Sequence, residues 1–287
     1  MRQRCPSIVL LALVSCGVGA GASGVSLAQA QAVEEPAPAR EATAPVRARR
    51  LPGYLEPHER PDGTRLVPAP PRPGSKGHAA DLEVHESMRP LRDTARWRLA
   101  AADADVQFPH AASTFACALG VDVSAERTPA LYELLQRSMV DAGQSTAAAK
   151  DKYDRARPFA VLGTPTCVTD DLAALRRSGA YPSGHAAAGW AWALILAELA
   201  PDRAGDVLRR GYEFGLSRVV CGVHWLSDVE AGRTLGAAAV ARLHAEPEFV
   251  GRLQAAREEL ARARAAGVPP ARDCAAEARA LEATAAW

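Results

Sequence analysis

Three short segments of the chain hold residues that could do chemistry on a charged substrate: 150–158 (KDKYDRARP), 182–185 (PSGH) and 217–228 (SRVVCGVHWLSD). The third contains the sharpest pair, because His224 and Asp228 are spaced i, i+4 and a helix would place them on one face. The carboxylate can then accept a hydrogen bond from one imidazole nitrogen and leave the other as a base or nucleophile. Taken alone, the same spacing is equally typical of a surface His/Asp pair.

Three cations accompany this pair. Lys150 and Arg157 are seven residues apart, which is two helical turns, so a continuous helix would present both on one face. Arg218 lies six residues before His224 and offers a planar fork of donors that suits phosphate oxygens. Only three of the 34 basic residues are lysines, which makes a lysine here mildly informative. Taken alone, the first segment is better explained as a solvated basic face.

The PSGH segment precedes an apolar run that predicts a helix. A helix start leaves the backbone N–H groups of Gly184 and His185 outside the helical hydrogen bonds, at the positive end of the dipole, and such a turn binds anions. Ser183 is in the position of an N-cap. An ordinary cap with a hydrogen-bonded histidine beside it explains this segment equally well on its own.

Together, the three segments offer three cations, an anion-binding turn, a histidine paired with a carboxylate and a second histidine. This set could neutralise a phosphate dianion and stabilise the additional charge of an in-line displacement. The sequence has no Walker A lysine motif, H-E-x-x-H or G-x-S-x-G, so nucleotide-hydrolase, zinc-protease and α/β-hydrolase hypotheses lose their support. The prediction is therefore chemistry on phosphate esters.

The pattern K-x6-RP, then PSGH, then SR-x5-H-x3-D resembles the signature of the type 2 phosphatidic-acid phosphatase superfamily. The matching positions are Lys150, Arg157, Pro158, Pro182, Ser183, Gly184, His185, Ser217, Arg218, His224 and Asp228. The surrounding sequence, over residues 80–260, is similar to the class A bacterial non-specific acid phosphatases, which are secreted periplasmic enzymes. Ala180 and Ala186 stand where that family usually has Ser and Thr, so substrate preference could differ, while every catalytic group is retained.

The resemblance implies that His224 attacks phosphorus to form a phosphohistidine, that Asp228 holds its ring, and that His185 protonates the departing alcohol. It implies a phosphate site formed by Lys150, Arg157, Ser183, the backbone N–H of Gly184, and Arg218. The substrate would be a small phosphomonoester, with no metal and no other cofactor, and family members are often homo-oligomers. The alternatives are a vanadate-dependent haloperoxidase, a lipid or diphosphate phosphatase, and a phosphate-binding module without turnover.

The helix signals predict an all-α fold with a single globular domain, which the resemblance specifies as the phosphatase and haloperoxidase kind. Thr128 and Pro129 open a helix with leucines on one face, and residues 146–156 are predicted to stay helical until Pro158. The apolar stretch Ala186–Leu199 is too short to cross a membrane and predicts a buried central helix. Further helices are predicted at Asp202–Leu216, His224–His244 and 248–267.

The N-terminus is typical of an export signal. Residues 1–30 comprise a basic start, an apolar core from Ile8 to Val14 and an Ala-x-Ala cleavage site ending at Ala30. That core is too short for a membrane anchor. The alternative is a lipoprotein box, LVSC, in which Cys16 would carry the lipid. Both routes predict an exported protein, and the resemblance implies the periplasm.

Composition divides the rest of the chain into a Pro-rich linker or wrapping segment at 31–75, a domain at 76–250, which the resemblance makes the acid phosphatase domain, and a charged C-terminal helix and tail at 251–287. The first of these regions contains ten prolines and little apolar periodicity. A hydrophobic content of 48% supports one sizeable core. A formal net charge of +1, with scattered basic residues, argues against a nucleic-acid polymer as partner.

Four cysteines remain after the export segment: Cys117, Cys167, Cys221 and Cys274. In an oxidising compartment they could form two disulfides in any of three pairings, with buried free thiols as the alternative. A bridge at Cys221 would brace the third chemical segment. The chain has no C-x-x-C pair, which argues against structural zinc.

Overall fold

The computed structural model describes residues 51–170, 172–267 and 269–285, and these residues form helices and loops without a β-strand. The α-helices are α1 (Gly63–Leu66), α2 (Lys76–Met88), α3 (Ala95–Ala102), α4 (Ala116–Leu119), α5 (Pro129–Gln144), α6 (Ala147–Tyr153), α7 (Pro158–Leu162), α8 (Leu172–Arg176), α9 (Gly184–Leu199), α10 (Ala204–Val220), α11 (Leu226–Leu243), α12 (Pro247–Ala265) and α13 (Cys274–Glu282). The predicted all-α fold is confirmed.

Helix α9 is the centre of the fold. Its sequence, GHAAAGWAWALILAEL, is apolar on every side, and a helix of this kind needs neighbours all round to exclude water. Helices α5, α10 and α11 pack against it, and the buried ring of Trp192 makes edge-to-face contacts with Phe108 and Phe214. The prediction of a buried central helix is confirmed, with its first residue at Gly184 rather than Ala186.

Two glycines of α11 set how closely α9 and α11 approach. A Cβ atom at Gly232 would lie 2.4 Å from the carbonyl oxygen of Ser183, and a Cβ atom at Gly236 would lie 2.3 Å from that of Ala187. These distances are far below van der Waals contact, so any other residue would push the helices apart. The bare backbone of α11 therefore brings its first turns against the N-terminus of α9.

The chain after α6 departs from the prediction. Helix α6 ends at Tyr153, because Asp154 adopts a left-handed conformation with φ 37°. The backbone is then non-helical until Pro158 opens α7. Our prediction that Lys150 and Arg157 share one face of a continuous helix is therefore wrong, because Lys150 lies in the last turn of α6 and Arg157 is the N-cap residue of α7.

The other predicted helices are confirmed with small shifts at their ends, as α5, α10, α11 and α12. Thr128 is the N-cap residue of α5 and Pro129 its first helical residue, as predicted. The Thr128 hydroxyl, however, bonds to the backbone of Ser124 rather than to the first turn of the helix.

Residues 51–75, the described part of the Pro-rich segment, pack against the helices. Tyr54 and Leu55 are buried in the main core, and their N–H groups donate to the Asp141 carboxylate of α5 at 2.7 and 3.3 Å. The burial of these two side chains shows that this stretch contributes to the fold. The predicted signal peptide, with Cys16, lies outside the described residues.

The described residues contain two disulfides, as predicted. Cys117–Cys274 joins α4 to the first residue of α13, and Cys167–Cys221 joins the chain after α7 to the end of α10. Within the described ranges, no helix is both long and apolar enough to cross a bilayer.

A buried cluster of charged and hydroxyl groups joins the chain just after α13 to α3 and α10. We call it the rear cluster; it consists of Arg96, Asp103, Arg210, Glu213 and Thr284. Arg96 lies 3.3 Å from the Glu213 carboxylate and donates to Thr284 Oγ1 at 3.0 Å, and Thr284 donates to Glu213 at 2.6 Å. Arg210 pairs with Asp103, with one nitrogen at 3.1 Å from Oδ2. Every charge in the cluster is paired, which is what burial of ions requires.

Candidate active site

The three segments singled out in the sequence meet where α9 begins, α10 ends and α11 begins. The N–H of Ser183 donates to the carbonyl of Asp228 at 2.9 Å and so joins α9 to α11. The N–H of His224 donates to the carbonyl of Arg218 at 3.3 Å and closes the turn between α10 and α11. These backbone bonds place residues that are distant in sequence around one point.

The ring of His224 is held at both nitrogens. Nδ1 lies 3.2 Å from Asp228 Oδ2, and Nε2 lies 3.0 Å from Nη1 of Arg157. An arginine can only donate, so Nε2 is the acceptor and the ring proton lies on Nδ1, facing the carboxylate. Burial, followed by the charge of Arg157, holds the pKa of His224 well below its ordinary value of 6.5. His224 is therefore a neutral imidazole with its Nε2 lone pair beside a cation.

Asp228 is completely buried and fully hydrogen-bonded. Its Oδ2 accepts from the N–H of Trp225 at 2.8 Å, and its Oδ1 accepts from Nη1 of Arg155 at 2.6 Å. Burial raises the pKa of Asp228 to about 6, although the Arg155 charge opposes this rise. The carboxylate is therefore ionised at neutral pH and gains a proton as the pH falls through about 6.

His185 lies in the first turn of α9. Its Nε2 lies 3.0 Å from the carbonyl of Ala104, and because a carbonyl can only accept, Nε2 carries a proton and Nδ1 remains for other chemistry. Burial lowers the pKa of His185 to about 3, and the charges of Arg218, Arg157 and Lys150 add to this effect. The ring is therefore neutral over most of the pH range.

The three predicted cations converge on this point from different elements. Lys150 Nζ donates to the carbonyl of Gly179 at 2.8 Å, and burial and the charge of Arg157 lower its pKa to about 7. Arg157 donates to the carbonyl of Val223 at 3.0 Å as well as to His224. Arg218 is buried in the last turn of α10. Lysine and arginine charges this close depress one another's pKa unless an anion joins them.

Ser183 and Gly184 form the start of α9. The Ser183 Oγ accepts from the N–H of Ala186 at 3.3 Å, which makes it the N-cap residue. Its hydroxyl proton remains available to an anion, as does the N–H of Gly184 at the positive end of the helix dipole. The two interpretations of the PSGH segment, an ordinary N-cap and an anion-binding turn, are thus compatible because they use different atoms.

Sequence reasoning missed a further arginine, Arg155, and its partners. Arg155 Nη2 donates to Asp81 Oδ2 of α2 at 2.7 Å, and Nη1 donates to Ser227 Oγ at 2.8 Å in addition to Asp228. Asp81 also accepts from the N–H of Ser227 at 2.9 Å. Arg155 lies inside the KDKYDRARP segment and was visible as an additional cation. Nothing in the sequence marks Asp81, because its partners are more than 70 positions away.

The disulfide Cys167–Cys221 borders the site. Cys221 is the C-cap residue of α10, three residues after Arg218 and three before His224. The N–H of Cys167 also donates to the carbonyl of Cys221 at 3.3 Å. The turn that carries both functional side chains is therefore covalently braced, as a bridge at Cys221 was predicted to do.

The charges around the site are mainly positive. Three cations, Lys150, Arg157 and Arg218, lie around the buried carboxylate of Asp228. That carboxylate is already paired with Arg155. In the part of the chain that the structure describes, no group of three or more His, Cys, Asp or Glu side chains is arranged to hold a metal ion. Side-chain cations and backbone N–H groups supply the positive potential for an anion such as a phosphate ester.

The chain is similar to known proteins over most of its length. A model described as the PAP2 superfamily matches residues 134–248. A non-specific acid phosphatase of Providencia stuartii is 44% identical over 210 residues, which is 73% of this chain and 85% of that protein. An acid phosphatase of Zymomonas mobilis subsp. mobilis is 38% identical over 213 residues, 74% and 81% of the two chains. A non-specific acid phosphatase of Salmonella typhimurium is 39% identical over 208 residues, 72% and 83%.

The family match spans all three chemical segments, and the matches to the relatives cover most of the length of each relative. The helical fold is the one that the resemblance implied. The chain therefore belongs to the PAP2 superfamily and, within it, to the acid phosphatases.

Proposed function

We propose that this acid phosphatase is exported, needs no metal ion and acts on phosphomonoesters through a phosphohistidine at His224. The observation that carries the proposal is the state of that ring. Asp228 holds Nδ1, and Arg157 lies 3.0 Å from an unprotonated Nε2. A lone pair beside a cation that binds a phosphoryl oxygen is placed to attack phosphorus.

In the first step, the Nε2 lone pair of His224 forms a bond to phosphorus while the bond from phosphorus to the ester oxygen breaks. The ester oxygen keeps that electron pair and takes a proton from Nδ1 of His185, so a neutral alcohol leaves. Asp228 stabilises the positive charge that the His224 ring acquires.

In the second step, a water oxygen attacks phosphorus and the phosphorus–nitrogen bond breaks, returning its electron pair to Nε2 of His224. The Nδ1 of His185, unprotonated after the first step, takes a proton from that water. Inorganic phosphate leaves, and both histidines regain their starting protonation.

The phosphoryl oxygens would be bound by Lys150, Arg157, Ser183, the N–H of Gly184, and Arg218. These groups stabilise the charge that spreads over the phosphoryl oxygens in the transition state. Mg²⁺ does the same in other phosphoryl-transfer enzymes. Turnover should therefore persist in excess EDTA.

The low pKa of His185, about 3, indicates where its proton comes from. A phosphomonoester monoanion, the main form below its second pKa of about 6, can pass its proton to His185 as the resulting dianion binds among the three cations. The bound dianion raises the pKa of His185 and so holds the proton there. Turnover should rise as the pH falls towards 6, where this monoanion becomes abundant, and fall again at lower pH, where the Asp228 carboxylate takes up a proton.

Export to the periplasm is supported by the basic and apolar N-terminus and by the two disulfides, which persist in oxidising compartments. Intact mass of the mature protein would distinguish cleavage after Ala30 from lipidation at Cys16. The homo-oligomer that the resemblance implies is testable by size-exclusion chromatography with light scattering.

The decisive experiment is to trap the phosphoenzyme with a radiolabelled phosphomonoester, quenching in alkaline detergent because phosphohistidine is labile in acid. We expect alkali-stable, acid-labile label in the wild-type protein, none in His224→Ala, and wild-type labelling in His244→Ala, a partly exposed histidine elsewhere. Undiminished turnover of a generic phosphomonoester by His224→Ala would overturn the mechanism.

A further inference from the structure

A cavity of about 430 Å³ adjoins the proposed catalytic groups. Lys150, Gly184 and His185 line one side of it. Gln144 and Thr146 add two uncharged polar side chains, and most of the remaining wall is carbon, from Leu51, Val106, Met139, Val140, Ala147 and Ala188. This volume lies within the usual range for small-molecule sites and accommodates an aromatic ring or a short alkyl chain.

We propose that this cavity binds the alcohol part of the substrate and selects phosphomonoesters of apolar alkyl or aryl alcohols. The inference rests on the proposed function, because it takes His185 as the donor to the leaving oxygen. A group attached to that oxygen must extend from His185, and the cavity is what His185 faces. His224, which must attack from the opposite side of phosphorus, is not among the lining residues.

The chemistry of the wall determines the class of alcohol. Among the described residues that line the cavity, the only ionisable side chains are Lys150 and His185, and both are committed to the phosphoryl group. A hydroxyl-rich sugar would lose hydrogen bonds to water and find few partners on the carbon surfaces. An alkyl or aryl group gains free energy there by leaving water.

The wall comes mainly from one continuous surface of α5 and α6. Met139, Val140 and Gly143 lie on the last turns of α5, and Ala147 and Lys150 follow on α6. Met139 adds a flexible, polarizable side chain that adapts to groups of different shape. Selection should therefore be for apolar character rather than for a single molecule.

A larger side chain at Gly143 would fill the cavity without displacing neighbouring atoms. A Cβ atom at this position would meet no atom within 4 Å, so a leucine there projects into open space. Leucine also favours a helix more than glycine does, so Gly143→Leu should fold. The matched control is Gly251→Leu on α12, where a Cβ atom likewise meets nothing within 4 Å.

The experiment measures kcat/KM for methyl, butyl, 2-phenylethyl and glycerol phosphates, whose leaving alcohols are similarly poor. We expect kcat/KM to rise from methyl to butyl to 2-phenylethyl phosphate, with the last about tenfold or more above glycerol phosphate. Gly143→Leu should lower the ratio of 2-phenylethyl to methyl phosphate about tenfold, whereas Gly251→Leu should leave this ratio as in the wild type. Met139→Gln should reduce the preference for 2-phenylethyl over glycerol phosphate.

Equal kcat/KM across the series would overturn the proposal, as would a Gly143→Leu variant that slows all substrates equally. Either result, together with a phosphohistidine trapped on His224, would leave the proposed mechanism intact. Absence of the phosphohistidine would overturn the mechanism instead, so the two failures are distinguishable.

Discussion

Arg155 links Asp228 to Asp81, with one guanidinium nitrogen 2.6 Å from Asp228 Oδ1 and the other 2.7 Å from Asp81 Oδ2. Arg155 lies in the loop before α7, whereas Asp228 lies in α11 and Asp81 in α2. The guanidinium carbon of Arg155 also lies 5.4 Å from the ring centre of Trp225, the residue between His224 and the first turn of α11. The carboxylate that we propose to orient His224 is therefore itself held by a cation outside the proposed phosphate site.

Removing that cation should impair the nucleophile indirectly. In Arg155→Gln, the buried Asp228 loses its opposing charge, so its pKa rises further above about 6 and it stays protonated to higher pH. We expect kcat to fall roughly 10- to 100-fold at pH 7, where the wild-type carboxylate is ionised, as is typical when a group that orients a catalytic residue is removed, and the acid limb of the pH profile to move upward.

Two comparisons separate this effect from general damage. Arg92→Gln removes an exposed arginine that pairs only with exposed Asp93 and should keep the wild-type profile. In Arg155→Ala, added guanidinium should restore part of kcat. No rescue together with an unmoved pH profile would show that Arg155 does not act through Asp228.

Anion affinity should depend on the protonation of Lys150. Its pKa of about 7 means that the free protein loses this charge as the pH rises through 7, while a bound anion favours the protonated form. Binding therefore takes up a proton above pH 7 and weakens as the pH rises. Sulfate is a suitable competitive inhibitor, because its charge is constant over this range.

We expect the inhibition constant of sulfate for the wild type to increase from pH 6 to pH 9. Lys150→Met should bind sulfate about tenfold more weakly than the wild type at pH 6 and approach it at pH 9. Lys152→Met, which removes an exposed lysine two residues away, should follow the wild type. Parallel curves for Lys150→Met and the wild type would refute this role.

The two disulfides should differ in what their loss does to activity. Cys167–Cys221 closes a separation of 54 residues, and its removal should lower the free energy of unfolding by about 4 kcal/mol on chain-entropy grounds. Because Cys221 lies between Arg218 and His224, the double variant Cys167→Ala/Cys221→Ala should also lose kcat. Cys117→Ala/Cys274→Ala should be destabilised at least as much, since its separation is 157 residues, yet retain kcat when folded. Urea unfolding and steady-state kinetics test both.

The chain that follows α13 should contribute measurable stability through one hydroxyl, that of Thr284. Thr284 is fully buried and bonds to both Arg96 and Glu213 of the rear cluster. Thr284→Val leaves those charged groups short of a partner, and we expect a loss of about 1–3 kcal/mol in the free energy of unfolding. Thr234→Val removes an exposed hydroxyl that bonds only to its own helix and should cost less than about 0.5 kcal/mol.

The sequence predicted contacts between residues that are close in the chain better than contacts between residues that are distant in it. The His224–Asp228 contact could be predicted from its short spacing, although His224 lies two residues before α11 and the turn into that helix, rather than a helical face, brings its ring to Asp228. The relation of Lys150 to Arg157 could not, because the left-handed Asp154 ends α6 and tertiary contacts, not helical spacing, bring both to the site. The Asp81 contact and the disulfide pairing depend on how distant helices pack, which spacing does not encode.

The contact between α9 and α11 has a consequence for the two histidines. Each of these helices carries one of them at or just before its first turn, and the backbones touch at Gly232 and Gly236. A single added methyl group at either glycine would separate the rings of His185 and His224, the proposed proton donor and nucleophile. In a scan of all single substitutions, these two positions should therefore tolerate as little change as the histidines, although neither glycine belongs to the proposed phosphate site.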